Sequence, residues 1–282
     1  MSNSRESRPA RPQVVLQVLA RREVSAHLVR LTLGGPGFAD FVDKPVTDRY
    51  VKLLFAKPEL GLEPPYDMEA LRDRLAPEDM PVRRTYTVRR VNPQEQSIDI
   101  EFVVHGDEGI AGPWARNAQP GDTLCFVGPA GIYAPDASFD RHLLVGDETA
   151  IPAISAALES MDDSFVATVL LEVSGPEDEI ELPHAKGVDV RWVHRGEAFS
   201  PESTILEREV RALPWSEGRV QIFAHGEREV MKNLRRYFHN ERGVERRDMS
   251  LSAYWAFGRA EDAFQAEKRT PVGQIFEETP IS

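Results

Sequence analysis

The stretch Arg83-Arg84-Thr85-Tyr86-Thr87-Val88-Arg89-Arg90 decides how the rest of the chain is interpreted. Its residues alternate, so that Arg84, Tyr86 and Val88 share one face and the two threonines share the other, which is typical of a β-strand. Arginine pairs with phosphate through two parallel hydrogen bonds, and a phenol ring packs against a flat ring system. The octet therefore predicts a strand that binds an anionic, aromatic ligand. An exposed strand with ordinary cross-strand partners is the alternative.

The composition describes an acidic globular protein. With 282 residues, 41% hydrophobic and 28% charged, the chain is long enough for two domains. A net charge of −12 argues against nucleic acid as a partner, and it requires a local basic patch wherever an anion binds. No apolar run approaches the roughly 20 residues that cross a bilayer. The single cysteine, Cys125, excludes an internal disulfide, and we predict a cytoplasmic protein.

The first half of the chain predicts a small antiparallel barrel. Six short segments have the patterning of strands: 14–19, 27–33, 50–55, 83–90, 98–104 and 124–127. A polar, proline-rich insertion at 61–81 is either a loop or a short helix around 68–75. Short strands separated by glycine and proline turns are typical of such a barrel.

After residue 139 apolar runs alternate with helical patterns. The predicted strands are 143–145, 166–173, 188–193, 220–224 and 251–255, and the predicted helices are 151–158, 204–213, 229–238 and 261–268. This alternation predicts a parallel sheet that is covered on both faces and that binds ligands at the carboxyl ends of its strands. We therefore divide the chain into a disordered tail at 1–13, a β-barrel domain at 14–138 and an α/β domain with a C-terminal helix at 139–282.

Two further segments precede predicted helices and leave backbone N–H groups free. The segment 105–115 contains three glycines, and Pro113 is a suitable first helical residue, so it predicts either a phosphate cradle or a flexible connection. The segment 146–153 joins the first parallel strand to the first helix, where a dinucleotide pyrophosphate would lie. It lacks the G-x-G-x-x-G fingerprint, and its residues alone predict only a helix N-terminus.

Together, these motifs resemble the siderophore-interacting proteins of the ferredoxin–NADP reductase superfamily. Residues 84–89 resemble the flavin-binding R-x-Y-[S/T] strand, and the segments 105–115, 146–153 and 253–269 follow in the family's order. The resemblance extends from about residue 14 to about residue 275. One departure is that Ala111 or Gly112 stands where the family often has serine, so that backbone N–H groups must serve there.

The resemblance implies a six-stranded antiparallel barrel that binds FAD, followed by a parallel-sheet α/β domain that binds a nicotinamide nucleotide, NADH or NADPH. By analogy, Arg84 contacts the FAD pyrophosphate, Tyr86 packs on the flavin, and Thr87 with Val88 approaches the flavin ring. The implied cofactor-binding residues are Arg84, Thr85, Tyr86, Thr87, Val88, His105, Gly106, Ile110, Ala111, Gly112, Pro113, Trp114, Asp147, Thr149, Ala150, Tyr254 and Trp255.

The implied activity is that of an NAD(P)H-dependent ferric-siderophore reductase, in which reduction to Fe(II) loosens the iron complex. The cofactor supplies this chemistry, so we expect no catalytic acid, base or nucleophile, and the seven histidines have no metal-ligand spacing. Lys52, Lys268 and Arg269 are the candidate cations for an anionic ferric siderophore because they flank regions that should border the flavin edge. The oligomeric state stays open. The alternatives are a flavin or ferredoxin-type reductase with another electron acceptor and a siderophore carrier without enzymatic activity.

The choice between NADH and NADPH is expected at the end of the second parallel strand. The acids Glu177, Asp178 and Glu179 follow that strand, and residues 142–185 contain no lysine or arginine. An acidic field disfavours an additional phosphate, so we predict that NADH is preferred or that discrimination is small. Arg195, after the third strand, is the candidate that would favour NADPH instead.

Overall fold

The structure, a computed structural model, describes residues 12–107, 109–196, 199–200, 202–215, 217–268 and 270–276. Six antiparallel strands close into a barrel in the order β1-β2-β5-β4-β3-β6. They are β1 (Gln13–Ser25), β2 (Leu28–Gly34), β3 (Tyr50–Phe55), β4 (Val82–Asn92), β5 (Ser97–Val103) and β6 (Thr123–Ala130). The predicted barrel is therefore confirmed, and the octet forms the centre of β4. Residues 1–11 of the predicted tail lie outside the described residues.

Alternating apolar residues of the six strands point into the barrel and form its core. The most deeply buried of these are Leu16, Leu31, Leu33, Leu53, Val88, Ile98, Ile100, Phe102 and Phe126. Strand β1 continues to Ser25, beyond the predicted end, because its polar second half pairs with β2 across two register shifts. The insertion contains the helical alternative, α1 (Met68–Arg74), which begins where the Asp67 side chain accepts from the N–H groups of Glu69 and Ala70. A second short helix, α2 (Ala111–Asn117), precedes β6.

The second domain is built on a five-stranded parallel sheet, as predicted. Its order is β11-β10-β7-β8-β9, and every pair is parallel. The strands are β7 (Arg141–Asp147), β8 (Ala167–Val173), β9 (Val188–His194), β10 (Val220–Glu227) and β11 (Met249–Trp255). The helices are α3 (Ile151–Ser160), α4 (Ile205–Ala212), α5 (Arg228–Arg235) and α6 (Glu261–Glu267). Strand β11 lies at one edge of the sheet, which leaves its outer side facing the barrel.

Helix α3 joins the two domains because it is apolar on every side. All residues from Ile151 to Leu158 are buried, which is expected for a helix that packs between two layers. One side packs on the sheet, and Leu28 and Val103 of the barrel belong to the same apolar cluster. The end of the octet reinforces this junction, because the Arg89 guanidinium donates to both oxygens of Glu159 at 2.8 Å. Arg89 thus binds a helix of the second domain instead of a ligand.

The described part of the chain contains no helix that is long and apolar enough to cross a membrane. The same residues hold no cluster of three or more histidine, cysteine, aspartate or glutamate side chains that is suited to a metal ion. The predicted helix 229–238 is divided into α5 and a π-helical turn at Arg236–Glu241. A 3₁₀ turn at Arg246–Asp248 then leads into β11.

Candidate functional site

A groove of about 1160 Å³ lies between the barrel and the edge of the parallel sheet. Its floor comes from β3 and β4, where Tyr50 lies opposite Thr87 and Lys52 lies opposite Thr85. These four side chains share one face because alternate residues of a strand point the same way. The opposite wall is formed by β11 and α6. The groove therefore brings the predicted flavin strand, the predicted substrate lysines and the C-terminal helix together.

Arg84 and Tyr86 lie on the other face of β4 and still reach the groove. The Arg84 guanidinium donates to both carboxylate oxygens of Asp262 on α6, at 3.1 and 3.3 Å. This bidentate geometry is the one in which arginine also binds phosphate. The Tyr86 ring packs on Phe102 with 4.5 Å between centroids, and burial raises the pKa of its phenol, so Tyr86 stays neutral. Its aromatic surface is thereby held in place at the groove.

Val88 has a different position from the other residues of the octet. Its side chain is fully buried in the barrel core, and its N–H donates to the Arg49 carbonyl at 2.8 Å. The side chain and the N–H of Val88 are therefore not directed into the groove, and its predicted approach to a flavin stays a prediction.

Asp147 organises the opposite wall of the groove. Its carboxylate accepts from the Trp255 indole N–H at 2.8 Å, from the N–H groups of Thr149 and Glu227 at 2.9 Å, and from the Thr149 hydroxyl. Burial and the charge of Glu148 raise the pKa of Asp147 to about 6, and hydrogen bonds from Thr149 and Trp255 act against this rise. Thr149 and Trp255 line the groove, whereas Asp147 supports them from behind and Ala150 is fully buried.

Tyr254 completes this wall beside Trp255. Its ring packs edge-on against His225 with 4.7 Å between centroids, and burial raises the pKa of its hydroxyl. His225 is buried, which lowers the pKa of its imidazole to about 3 and keeps the ring neutral. Both aromatic residues that were predicted at the end of β11 are thus at the groove, and His225 is an addition that sequence reasoning missed.

The segment 105–114 lies apart from the groove. The Trp114 ring packs on Phe55 and Phe102 of the barrel, which draws the start of α2 against the barrel core. His105 instead contacts Glu148, with 3.1 Å between Nε2 and Oε1. Among the described residues, those of the predicted phosphate cradle do not line the groove: His105, Gly106, Ile110, Ala111, Gly112, Pro113 and Trp114. The segment meets the octet through the barrel core, where Trp114 and Tyr86 both pack on Phe102, and its predicted cofactor contacts stay a prediction.

A buried charged cluster occupies the carboxyl ends of β7, β8 and β9. The Arg195 guanidinium donates to both oxygens of Glu148 at 2.7 and 2.6 Å and to the Ser174 hydroxyl at 3.2 Å. Burial opposes ionisation of Glu148, but hydrogen bonds from His105 and Arg195 outweigh it and lower its pKa to about 2. Burial and the charge of Asp147 raise the pKa of Glu172 to about 7. Arg195 is only 5% exposed and lies 3.7 Å from a Glu172 oxygen as well, so its charge is committed to these two carboxyl groups.

The groove is locally cationic although the whole chain carries −12. Its lining includes five cations (Lys52, Arg84, Arg246, Arg247 and Lys268) and three acids (Asp48, Glu101 and Glu261). Arg246 and Arg247 come from the turn before β11. The sequence pointed to them only as two adjacent arginines beside a predicted strand. Arg269 lies outside the described residues, so its predicted substrate role is a hypothesis on the sequence alone.

The lining of the groove fits FAD in its chemistry. Arg84 offers a bidentate phosphate partner, and Tyr86 and Tyr254 offer aromatic surfaces from two sides. Within the described residues, Glu101 Oε2 and His225 Nδ1 are buried atoms of lining side chains without a hydrogen-bond partner. An unpaired buried polar atom is costly, so such atoms at a groove favour a polar ligand there.

Two family models match the chain. Residues 17–133 match the siderophore-interacting FAD-binding domain, and residues 139–258 match the siderophore-interacting protein model. An uncharacterized protein of Mycobacterium tuberculosis is 41% identical, over 92% of this chain and 95% of its own length. The ferric vibriobactin reductase ViuB of Vibrio cholerae is 31% identical over 93% and 96%. The NADPH-dependent ferric-chelate reductase of Escherichia coli is 30% identical over 85% and 91%.

A solved structure agrees with these relatives. The siderophore-interacting protein SipS from Aeromonas hydrophila superposes with a TM-score of 0.77 at 30% identity, over 93% of this chain and 98% of that one. The two chains thus share one fold over nearly their whole length. The chain belongs to the siderophore-interacting protein family, and its barrel is the FAD-binding domain of that family.

Proposed function

We propose that the protein is an NAD(P)H-dependent ferric-siderophore reductase that releases Fe(II) for use inside the cell. When bound, FAD supplies the redox chemistry, because it can accept a hydride from NAD(P)H and pass electrons to Fe(III). The observation that carries the proposal is the register of β3 and β4, which sets Lys52 directly opposite Thr85 in the flavin-binding motif. An anionic chelate that is held by Lys52 lies at the edge of the cofactor. The names of the relatives in Vibrio cholerae and Escherichia coli point to the same class of activity.

The residues of the groove then have separate roles in this proposal. Arg84 binds the FAD pyrophosphate, and Thr85, Tyr86 and Thr87 orient the flavin on the barrel side. Trp255 and Tyr254 close the opposite side, where Asp147 fixes Trp255 and Thr149. Lys52 and Lys268 attract the negative charge of the ferric siderophore. The remaining predicted contacts, from the segment 105–114 and from Arg269, stay hypotheses that binding experiments must test.

The experiment that tests the function follows the flavin absorbance without oxygen. We expect purified protein to contain FAD, NADH or NADPH to bleach it, and ferric catecholates, hydroxamates or citrate to restore the colour. A carrier without enzymatic activity would not be bleached by either nucleotide. Restoration by a ferredoxin but not by any ferric chelate would instead support the reductase with another electron acceptor.

The preferred nucleotide is a finer part of the proposal. Arg195 cannot readily offer a free charge to a 2′-phosphate, because Glu148 and Ser174 hold its guanidinium. We therefore predict that kcat/KM for flavin reduction is higher with NADH than with NADPH. Glu148→Gln should weaken the hydrogen bonds that hold the Arg195 guanidinium. We expect the ratio of kcat/KM with NADPH to kcat/KM with NADH to rise roughly tenfold, which corresponds to about 1.4 kcal/mol. A wild-type preference for NADPH that Arg195→Ala abolishes would show that Arg195 is the selector after all.

A further inference from the structure

Lys268 has surroundings that are unusual for a lysine. It directly follows α6 and shares the groove-facing side of the helix with Glu261 and Gln265, at spacings of seven and three residues. Its side chain is half-buried, and its Nζ lies 4.7 Å from the centroid of the Phe264 ring. Lys268 takes part in none of the ion pairs found among the described residues. Its ammonium therefore faces the groove, and no carboxylate of the described residues lies within ion-pair distance of it.

The charged groups around Lys268 come from every element that borders this part of the groove. The charge of Glu261 on α6 raises the pKa of Lys268, and the charge of Lys52 on β3 lowers it. Arg84 of β4 and Arg246 of the turn before β11 add positive charge to the lining, while His225 of β10 is neutral. Burial is the largest influence and lowers the pKa of Lys268, and the charge of Lys52 lowers it further.

The reaction creates a demand for a proton in the same place. Siderophore oxygens bind Fe(III) in their deprotonated form, and they hold the softer Fe(II) more weakly. An oxygen that leaves the iron is a base, and a proton on it prevents the bond from forming again. A side chain positioned beside the leaving oxygen can supply that proton.

We propose that Lys268 is a catalytic residue that donates a proton to a chelating oxygen of the ferric siderophore as the iron is reduced. The inference rests on the proposed function, which supplies the electron. One electron converts Fe(III) to Fe(II), the Fe–O bond breaks, an N–H bond of the Lys268 ammonium breaks, and an O–H bond forms on the siderophore. Lys268 is left as a neutral amine and takes up a proton from solvent at the mouth of the groove. The lysine thus acts on the substrate and not on the cofactor.

The decisive variant is Lys268→Arg, which keeps the positive charge but cannot release a proton, because the guanidinium stays protonated in proteins. We expect a ferric tricatecholate at saturating concentration to re-oxidise the reduced variant 10- to 100-fold more slowly than the reduced wild type. The wild-type re-oxidation rate should change at alkaline pH as Lys268 loses its proton, and this alkaline limb of the pH profile should be absent in the variant. Lys186→Arg is the matched control, because Lys186 is 89% exposed and remote from the groove. Lys52→Ala should instead raise KM and keep the alkaline limb, moved to higher pH because the charge of Lys52 lowers the pKa of Lys268.

A second readout separates binding from proton donation. The Ga(III) tricatecholate has the charge and shape of the iron complex but is not reduced, and its binding is measured by tryptophan fluorescence. We expect Lys268→Arg to bind it within about twofold of wild type. In Lys268→Ala, added methylammonium should restore part of the lost rate, which a purely structural lysine would not allow.

Three results would overturn the proposal. The first is a wild-type rate and pH profile in Lys268→Arg. The second is a loss of Ga(III) complex binding without a change in the rate at saturating chelate, which would make Lys268 a binding residue only. The third is the absence of any rescue of Lys268→Ala by amines. If wild-type protein that NADH has bleached reduces no ferric chelate at all, the proposed function itself is wrong, and the proposal on Lys268 falls with it.

Discussion

The guanidinium of Arg84 has the geometry in the groove that best suits a phosphate group. Arg84→Ala should weaken FAD binding roughly 10- to 150-fold, the effect of losing a charge-assisted hydrogen bond of about 1.5–3 kcal/mol. Titration of apoprotein with FAD, followed by flavin fluorescence, measures the change. Arg83→Ala is the matched control, because Arg83 is exposed on the same strand. Equal losses in the two variants would contradict a specific role for Arg84.

Asp262 occupies the Arg84 guanidinium that a phosphate would need. Its side chain is 66% exposed, so the ion pair contributes at most about 1 kcal/mol. Asp262→Asn should therefore raise FAD affinity, by at most about fivefold, and 1 M salt should reduce the difference between variant and wild type. Weaker FAD binding in Asp262→Asn would mean that the pair positions α6 for binding instead of competing with the cofactor.

Most elements of the fold could be predicted from the sequence. Apolar alternation located strands such as Tyr50–Phe55 to the residue, and continuous apolar runs located β7 to β11. These signals are local and depend on which face is buried. The second half of β1 was missed because its arginines and Glu23 are polar, and only the pairing with β2 extends the strand to Ser25.

The site was predicted less completely than the fold. The residues Arg84 to Thr87 and Lys52 are at the groove, because a single strand motif and its neighbour in register specify them. Glu148 with Arg195, and Arg84 with Asp262, are partners that lie 47 and 178 residues apart. No local pattern indicates such partners, since the first pair depends on how the chain after β7 meets the chain after β9, and the second pair depends on how the two domains meet. The described residues of the segment 105–114 do not line the groove, because Trp114 packs on Phe55 and Phe102, and the segment's role as a phosphate cradle stays a prediction.

The contact between β4 and α3 is an element-scale source of stability. Arg89 is 4% exposed and donates twice to Glu159, whose side chain is 26% exposed. Arg89→Ala should lower the free energy of unfolding by about 3 kcal/mol, the lower end for breaking a buried pair. Arg90→Ala removes a guanidinium that is 45% exposed and contacts the same carboxylate, so it should cost less than about 1 kcal/mol. Urea denaturation followed by circular dichroism measures the free energy of unfolding of both variants. Equal losses in the two variants would contradict the claim that the buried ion pair contributes more than the exposed one.

On the scale of the whole molecule, the buried charged cluster at the carboxyl ends of β7, β8 and β9 predicts that the stability of the protein depends on pH. Burial raises the pKa of Glu172 to about 7, above its ordinary value of 4.5 in an unfolded chain. Between these values the folded state binds a proton that the unfolded state lacks, so the free energy of unfolding falls as the pH rises. The total loss is at most about 3 kcal/mol.

Glu172→Gln should remove this slope, because glutamine resembles the protonated acid at every pH. The variant should match wild type near pH 4.5 and be more stable than wild type at pH 8, as measured by urea denaturation across that range. Glu181→Gln, at an exposed position of the same domain, is the control. If the free energy of unfolding changed with pH in the same way in Glu172→Gln and in wild type, Glu172 would be ionised in the folded protein at neutral pH.

The two walls of the groove also have a consequence for how the protein is made. Arg84 and Asp262 are separated by 178 residues. A ribosome that adds about 5–20 residues per second needs roughly 9–36 s to pass from one to the other. During that interval the barrel has emerged with the floor of the groove but without β11 and α6. The order of synthesis therefore means that the groove gains its second wall only after β11 and α6 have left the ribosome.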